Sequence, residues 1–388
     1  MLVKNLLSTN EINYKNFKTL KSEPFNEKIL KTFDKISKRI LSDKKMISKR
    51  DIFTFGFWCR RKNLEILKKR FCISNKIFGI GLVFHVPPAN IAVLPLYSLA
   101  FGTLTGNSNL IRIPKKNIDY LNQVISIINE EFKSSNFHKN NLFISYDREN
   151  FISEKISSYS DARMIWGGDN TIKSFKRFKT KVNCKDLMFG DKYSLAILQL
   201  QNKDKHKIKE ITKNFYNDTF IVDQNACSSP SIIFWYRTSK DKIALFWNEL
   251  NELVKSKYQI SFGLSSKRFE YLNDLLMNYK NISLQDDKKK NFFRIKINSN
   301  YNLNNFKGFA GIFFEKNLNS LNNFNKFLNK KMQTLSFYGF NQNELIKINK
   351  EVSKNKSIDR IVELGRTLEI DFIWDGKNIF KILTKNYG

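Results

Sequence analysis

A single cysteine, Cys227, stands in a short polar segment between two apolar runs, 219–222 and 232–236. Both runs are β-branched or aromatic and uncharged, which is typical of short, fully buried strands. The small polar residues between them favour a loop, so we expect Cys227 at an exposed turn at the end of a sheet. An attacking thiol needs access and polar surroundings, because the thiolate is the reactive form. The segment predicts a cysteine nucleophile, and the alternative is a buried structural cysteine.

The composition favours an ordinary globular protein with two domains. The chain has 388 residues, of which 41% are hydrophobic and 27% charged, so two sizeable cores are expected. The cysteines at 59, 72, 184 and 227 form no CxxC pair, and a zinc site or a disulfide framework is not expected. The N-terminal residues lack the apolar core of a signal peptide. Together these features predict a cytoplasmic protein without a metal site.

The formal net charge of +31 has two interpretations. It could indicate a nucleic-acid partner, an anionic membrane surface or phosphate-bearing substrates. It could also reflect a coding bias that enriches Lys, Asn, Ile and Phe together. The basic residues are scattered, with only short runs at 60–62, 68–70 and 288–290. Scattered charge is typical of a solvated surface, so we favour the coding bias, and phosphate-bearing substrates are compatible with it.

Residues 77–111 contain no Asp, Glu, Lys or Arg, a length that could suggest a membrane span. Pro87, Pro88, Asn90 and Pro95 interrupt this segment, so no uninterrupted apolar helix of spanning length remains. We therefore expect no transmembrane segment. The pattern predicts a strand at 78–84, a loop at 85–90 and a helix at about 91–105.

Strands and helices alternate over the residues that follow. The predicted elements are strands at 109–113, 142–145 and 162–166, and helices at 118–132, at 147–158 and from a cap at Asp169 through Phe175. This alternation predicts a parallel sheet covered on both faces. Such sheets bind ligands at the carboxyl ends of their strands. The loops 85–90, 114–117 and 167–169 are thus the candidate ligand edge, and the helix N-terminus at Gly168-Asp169 could bind a phosphate or a polar cofactor group.

A second alternating unit begins near Tyr193. Its predicted elements are strands at 193–200, 292–297, 309–314 and 334–337, and helices at 204–216, 241–256, 267–279, near 318–332 and at 341–354. Near the end of the chain, Asp375-Gly376 after 370–374 predicts a two-residue hairpin turn.

Six short motifs stand in order along the chain. They are His85-Val86-Pro87-Pro88-Ala89-Asn90, the segment 104–112, Trp166-Gly167-Gly168-Asp169, the segment 189–194, Gln224-Asn225-Ala226-Cys227-Ser228-Ser229-Pro230 and Trp374-Asp375-Gly376. With these motifs the chain resembles, over about residues 50–388, the bacterial acyl-CoA reductase family. That family is typified by the fatty-acid reductase of luminous bacteria (LuxC) and is a branch of the aldehyde dehydrogenase superfamily.

The resemblance implies an α/β, aldehyde dehydrogenase-like fold with two three-layer αβα domains. The expected divisions are an N-terminal helical segment (1–70), a Rossmann-like NADP-binding domain (71–188), a catalytic domain with the cysteine nucleophile (189–345) and a C-terminal segment with a hairpin (346–388). The implied activity is the NADPH-dependent reduction of an acyl thioester, carried by CoA or by a protein, to the aldehyde. The implied partners are an acyl-activating synthetase or transferase and further copies of the chain.

The resemblance also implies roles for two groups of residues. Cys227 matches the nucleophile, and Asn90 matches the side chain that binds the oxyanion together with the backbone amide of the cysteine. The implied cofactor-binding residues are Arg112 at the adenosine ribose, Lys115 and Lys116 at a 2′-phosphate, and Gly167 and Gly168 in the turn beside the cofactor. Each has a structural alternative: Asn90 could cap the next helix, Arg112 could be a surface charge, and the two glycines could only form a tight turn.

Departures from the superfamily pattern are informative. Aldehyde-oxidising relatives carry a glutamate that activates water for hydrolysis of the acyl-enzyme, and Met188 stands at that position here. A thioester reductase does not need this base. Ala89 and Asp191 replace the more usual glycine and proline. No proton donor is identifiable, and for His85, which is close in sequence to Asn90, a structural role is favoured.

Two alternatives to reduction of a long-chain acyl group remain open. One is a reductase of a short or specialised acyl thioester, because the acyl pocket cannot be located in the sequence. The other is a basic protein that binds nucleic acid or a membrane surface. That function would need a contiguous aromatic and basic face, whereas the aromatic residues mostly recur at the periods expected of core positions, so we expect no nucleic-acid partner.

Overall fold

A computed structural model of the chain describes residues 4–5, 8–11, 19–72, 76–147, 150–285, 291–298, 302–322, 324–355 and 357–388. The chain divides into two compact units. The first comprises Met1–Gly190 and Asp371–Gly388, and the second comprises Asp191–Ile370. The predicted helical segment 1–70 thus falls within the first unit, and the C-terminal segment is shared between the two.

The strands, numbered in chain order, are β1 Lys4–Asn5, β2 Ser8–Glu11, β3 Ile77–Gly79, β4 Leu82–Val86, β5 Ser108–Arg112, β6 Asn141–Ser145, β7 Ala162–Trp166, β8 Lys185–Phe189, β9 Tyr193–Leu198, β10 Pro230–Tyr236, β11 Ile282–Leu284, β12 Phe293–Ile297, β13 Ile312–Leu318, β14 Met332–Tyr338, β15 Arg360–Glu363, β16 Ile373–Trp374, β17 Lys377–Asn378 and β18 Thr384–Asn386.

The α-helices are α1 Glu27–Ser42, α2 Lys44–Ser48, α3 Arg50–Trp58, α4 Arg61–Phe71, α5 Leu94–Leu104, α6 Ile118–Ser134, α7 Asn150–Tyr159, α8 Asp169–Arg177, α9 Ile208–Thr219, α10 Lys240–Lys257, α11 Phe262–Asn278, α12 Gln342–Asn355 and α13 Ile379–Leu383. Among the described residues, no helix combines the length and the apolar character that crossing a membrane would require.

The sheet of the first unit has the strand order β2-β1-β6-β5-β4-β7-β8. The strands from β6 to β8 are parallel, and the short β1 pairs antiparallel with β6. Every residue of β4 and β7 is buried, as expected for central strands covered on both faces. The sequence order reverses between β4 and β7, and in open α/β sheets this switch point is where ligands bind.

The sheet of the second unit has the order β11-β12-β13-β10-β9-β14-β15. All neighbours are parallel except the edge strand β11, which is antiparallel to β12. Alternate residues of β9 and β10 point to opposite faces. Leu195 and Phe234 belong to a core cluster that also contains α11 and α12 residues, whereas Ala196 and Trp235 belong to another with α9 and α10 residues. The fold is therefore three-layered in this unit, as the resemblance implies.

Several local predictions were wrong. The run 219–222 is not a strand, because α9 extends to Thr219 and a 3-10 turn follows at Phe220–Val222. The region near 318–332 is not a long helix but the end of β13 followed by a 3-10 turn at Phe324–Phe327. An apolar run alone does not distinguish a buried strand from a buried helix.

The region predicted as strand 78–84 and loop 85–90 contains two strands. Gly81 has φ of +139° and separates β3 from β4, which continues to Val86. β3 pairs with the C-terminal strand β18 instead of joining the main sheet. His85 is consequently in a central strand and not in a loop.

Candidate functional site

The turn that carries Cys227 joins α9 to β10 in the second unit. It begins with Asp223 and Gln224, whose φ values of 52° and 56° reverse the chain after the helix. Cys227 is partly exposed, and its carbonyl oxygen accepts a hydrogen bond of 2.6 Å from Ser194 Oγ. Because Ser194 is in β9 and pairs with Pro230 at the start of β10, the turn lies at the amino-terminal edge of the sheet.

Burial disfavours the thiolate form of the other three cysteines. Burial raises the pKa of the Cys59 thiol well above its usual value, and it also raises the pKa of Cys72. For Cys184 burial raises the pKa to about 11. All four cysteines are free thiols. Since the thiolate attacks, burial counts against Cys59, Cys72 and Cys184 as nucleophiles.

The turn after β4 carries Asn90 in the first unit. Asn90 is exposed, and Pro87 before it is buried. The next helix, α5, has Val93 as its N-cap and no capping hydrogen bond from a side chain. Asn90 therefore does not cap α5. The turn is held by Asn117, whose Nδ2 donates to the carbonyl oxygen of Ala89 at 3.3 Å.

His85 is fully buried in β4 and belongs to a polar network. Its Nδ1 lies 2.8 Å from Ser98 Oγ, and its Nε2 lies 2.9 Å from Asn109 Oδ1. Desolvation by burial lowers the pKa of His85 to about 4, against a weaker opposing effect of the Asn109 hydrogen bond. The imidazole is thus neutral at physiological pH and has no access to solvent. Its burial and its two side-chain partners indicate a structural role for His85.

The second loop at the switch point follows β7. Gly167 donates its N–H to the Phe189 carbonyl oxygen at 3.0 Å, and a Cβ atom on it would lie 2.9 Å from Thr171 Cβ. A Cβ atom on Gly168 would meet no atom within 4 Å. Gly167 is therefore required for packing, whereas Gly168 leaves open space at the N-terminus of α8.

The cap of α8 differs from the prediction. Gly168 is the N-cap, and Asp169 is the first helical residue. A carboxylate in the first turn offsets the positive end of the helix dipole. This helix terminus therefore suits a neutral polar group better than a phosphate.

Arg112 ends β5 and lies beside Tyr146. The guanidinium carbon is 4.7 Å from the centroid of the Tyr146 ring. Its Nε is buried and finds no acceptor within the described part of the chain. Lys115 Nζ lies 2.5 Å from Asp147 Oδ1, and Lys116 is exposed. Arg112 is thus a partly buried cation with a free N–H, which fits an oxygen atom of a dinucleotide cofactor.

Three of the six motifs begin with an aromatic residue, and the structure brings these three residues together. Trp166 and Phe189 stack with ring centroids 3.9 Å apart, and Trp374 lies 6.2 Å from Trp166. Asp375 and Gly376 have φ values of 49° and 67°, as a two-residue hairpin turn requires. Trp374 therefore places the C-terminal hairpin against the ends of β7 and β8.

Met188 is half-buried in β8 and packs against an apolar cluster of the first unit. Its carbonyl oxygen accepts a hydrogen bond from Lys377 Nζ. The Met188 thioether cannot act as a general base, unlike the glutamate that aldehyde-oxidising relatives carry at this position.

The predicted residues fall into two groups. One group lies in the first unit, at or just beyond the carboxyl ends of its strands: Asn90, Arg112, Lys115, Lys116, Gly167 and Gly168. The second unit carries Cys227. Within the described residues, no cluster of three or more His, Cys, Asp or Glu side chains could hold a metal ion.

The fold is that of aldehyde dehydrogenases. Indole-3-acetaldehyde dehydrogenase, solved with NAD+, has a TM-score of 0.68 at 9% identity over 92% of this chain and 82% of its own. Glyceraldehyde-3-phosphate dehydrogenase GapN from Methanocaldococcus jannaschii, solved with NADP, has a TM-score of 0.62 at 15% identity over 92% and 88%. An oxidoreductase from Marinobacter aquaeolei has a TM-score of 0.64 at 10% identity over 99% and 94%.

The family is defined by sequence. Residues 14–260 match the acyl-CoA reductase (LuxC) family, and the chain belongs to it. The long-chain acyl-protein thioester reductase of Aliivibrio fischeri is 25% identical over 174 residues, which is 44% of this chain. The match spans only 35% of the length of that relative.

Proposed function

We propose that the protein reduces an acyl thioester to the aldehyde, with NADPH as reductant and Cys227 as the acylated nucleophile. The thioester is a fatty acyl-CoA or a fatty acyl group on a protein. The observation that carries the proposal is the position of Cys227 within the family match, in a partly exposed turn at a sheet edge. The three other thiols are disfavoured because burial raises the pKa of each.

The chemistry divides into two half-reactions. The Cys227 thiolate attacks the thioester carbonyl carbon, and the carrier thiolate leaves and takes up a proton. The reduced nicotinamide cofactor would supply the hydride to the carbonyl carbon of the resulting enzyme thioester. Collapse of the resulting alkoxide with cleavage of the bond between this carbon and the Cys227 sulfur would then release the aldehyde and restore the Cys227 thiolate.

The first unit supplies the supporting residues of the proposal. Asn90 is assigned as the donor to the oxyanion, a kind of contact that is typically worth about 3–4 kcal/mol. Arg112, with its unpaired Nε, is assigned to the adenosine ribose. Lys115 and Lys116 are assigned to a 2′-phosphate, and the open space at Gly168 to the cofactor.

Acyl labelling tests this proposal. Incubation with labelled acyl-CoA of graded chain length, and with an acyl-protein thioester, but without NADPH, should leave a hydroxylamine-sensitive label on Cys227. The label should be absent from Cys227→Ala and retained in Cys184→Ala, a matched control in the first unit. Addition of NADPH should release the label as aldehyde. An unlabelled wild-type protein, or a labelled Cys227→Ala variant, would refute the proposal.

A further inference from the structure

Gln224 lies three residues before Cys227 and has an unusual backbone conformation. It follows Asp223, and both residues are in the left-handed region, with φ of 56° and 52°. Residues other than glycine rarely adopt this region, and two in succession persist only when their surroundings hold them. The backbone of Gln224 is held by one hydrogen bond of 2.8 Å from its N–H to the Thr219 carbonyl oxygen.

The side chain of Gln224 is only 5% exposed, and three backbone groups satisfy its carboxamide. Nε2 donates to the carbonyl oxygens of Pro230 at 3.0 Å and Ile312 at 3.1 Å. Oε1 accepts from the N–H of Gly311 at 3.0 Å. Two acceptors and one donor fix the orientation of the amide, because a flipped amide would place oxygen against two carbonyls.

These hydrogen bonds join the two ends of the Cys227 turn and attach the turn to the sheet. Pro230 lies three residues after Cys227, so the Gln224 amide connects the two ends of the turn. Gly311 and Ile312 lie at the start of β13, the strand next to β10, and they anchor the turn to the sheet. A Cβ atom on Gly308 would clash with Nε2 of Gln224, so this glycine is needed for the close approach.

We propose that Gln224 is a positioning residue that fixes the direction of the Cys227 thiol and backbone amide through the turn. This inference rests on the proposed function, in which that thiol attacks the thioester. A displacement of a reacting group by about 1 Å can reduce the rate of a reaction by about 100-fold. Loss of the amide removes the side-chain donors to the two carbonyl oxygens and the acceptor of the Gly311 N–H, and the turn relaxes.

Gln224→Met is the principal test, because methionine has the same unbranched length and the same left-handed backbone cost. Gln199→Met is the matched control: Gln199 is 7% exposed and follows β9 at the end of that strand opposite to Ser194. Two rates are measured in the full-length protein. They are acylation of Cys227 by acyl-CoA without NADPH, and alkylation of Cys227 by iodoacetamide as a function of pH, followed by peptide mass spectrometry.

In Gln224→Met the acylation rate at saturating acyl-CoA should fall by about 10- to 100-fold, with the half-saturating concentration unchanged. The pH profile of alkylation should shift, whereas Gln199→Met should match the wild type in both rates. Equal rates in the two folded variants would overturn the inference. A wild-type protein that is not acylated at Cys227 would instead refute the proposed function.

Gln224→Glu keeps the test decisive if Gln224→Met does not fold. The ionised carboxylate cannot donate to the Pro230 and Ile312 carbonyl oxygens, but its protonated form has one O–H donor. The acylation rate relative to wild type should therefore recover on acidification. A ratio to wild type that stays near unity at every pH would overturn the inference.

Discussion

The ammonium group of Lys115 lies 2.5 Å from a carboxylate oxygen of Asp147. Lys115 follows β5, and Asp147 follows the neighbouring parallel strand β6. The side chains are 64% and 46% exposed, so the ion pair is solvated and weakly stabilising. A cofactor 2′-phosphate would compete with Asp147 for Lys115. The sequence patterns singled out Lys115 but not Asp147.

We expect Lys115 and Lys116, with Asp147 as a competing charge, to set the preference for NADPH over NADH. Lys115→Ala/Lys116→Ala should lower kcat/KM for NADPH by about tenfold or more, with little change for NADH, because charge-assisted hydrogen bonds to the 2′-phosphate are lost. Asp147→Asn, which keeps the shape but removes the competing charge, should raise the ratio of NADPH to NADH use. Steady-state kinetics with both cofactors measures the ratio. Unchanged ratios in both variants would remove Lys115, Lys116 and Asp147 from the cofactor site.

Met188 is expected to make the acyl-enzyme resistant to hydrolysis. A thioether cannot take a proton from water, so labelled wild-type protein should keep its acyl group without NADPH and should oxidise little aldehyde to acid with NADP. Met188→Leu, the control of similar volume, should behave in the same way. Met188→Glu should accelerate hydrolysis, since a positioned base contributes about 10²–10⁴-fold. Rapid loss of label from the wild-type protein would mean that another residue activates water.

His85 is expected to make stability depend on pH. Its folded-state pKa is about 4, below its ordinary value of 6.5, so between these values the unfolded chain binds a proton that the folded protein does not. The free energy of unfolding should therefore fall as pH decreases through this window, by about 3 kcal/mol at its lower end.

Denaturant unfolding of wild type and His85→Gln, compared at each pH, isolates this contribution. The comparison is needed because Asp218 acts in the opposite direction: burial raises its pKa to about 6. The difference between the two proteins should narrow or change sign on acidification. A difference that is constant with pH would contradict the buried, neutral imidazole.

The sequence by itself determined the αβ alternation, the location of most strands and the resemblance that the family match bears out. Strands such as β7 were predictable because a short, mostly apolar segment ends at two glycines. The hairpin at Asp375-Gly376 was predictable because its turn type demands positive φ. These features depend on local propensity and on the period of the apolar residues, which are properties of neighbours in the chain.

Only the tertiary structure decided the features that depend on distant residues. The run 219–222, predicted as a strand, contains the end of a helix and a 3-10 turn. The prediction was wrong because a short apolar segment looks the same in a buried helix and in a buried strand. His85 is neutral because the fold buries it completely, which lowers its pKa, and Ser98 and Asn109 are the hydrogen-bond partners of its two ring nitrogens. The side-chain amide of Gln224 bonds to the backbone of Gly311 and Ile312, which lie 87 and 88 positions further along the chain. No local sequence pattern encodes such a contact. Hydrogen-bond partners and burial depend on which segments the fold brings together, so they were beyond the reach of sequence patterns.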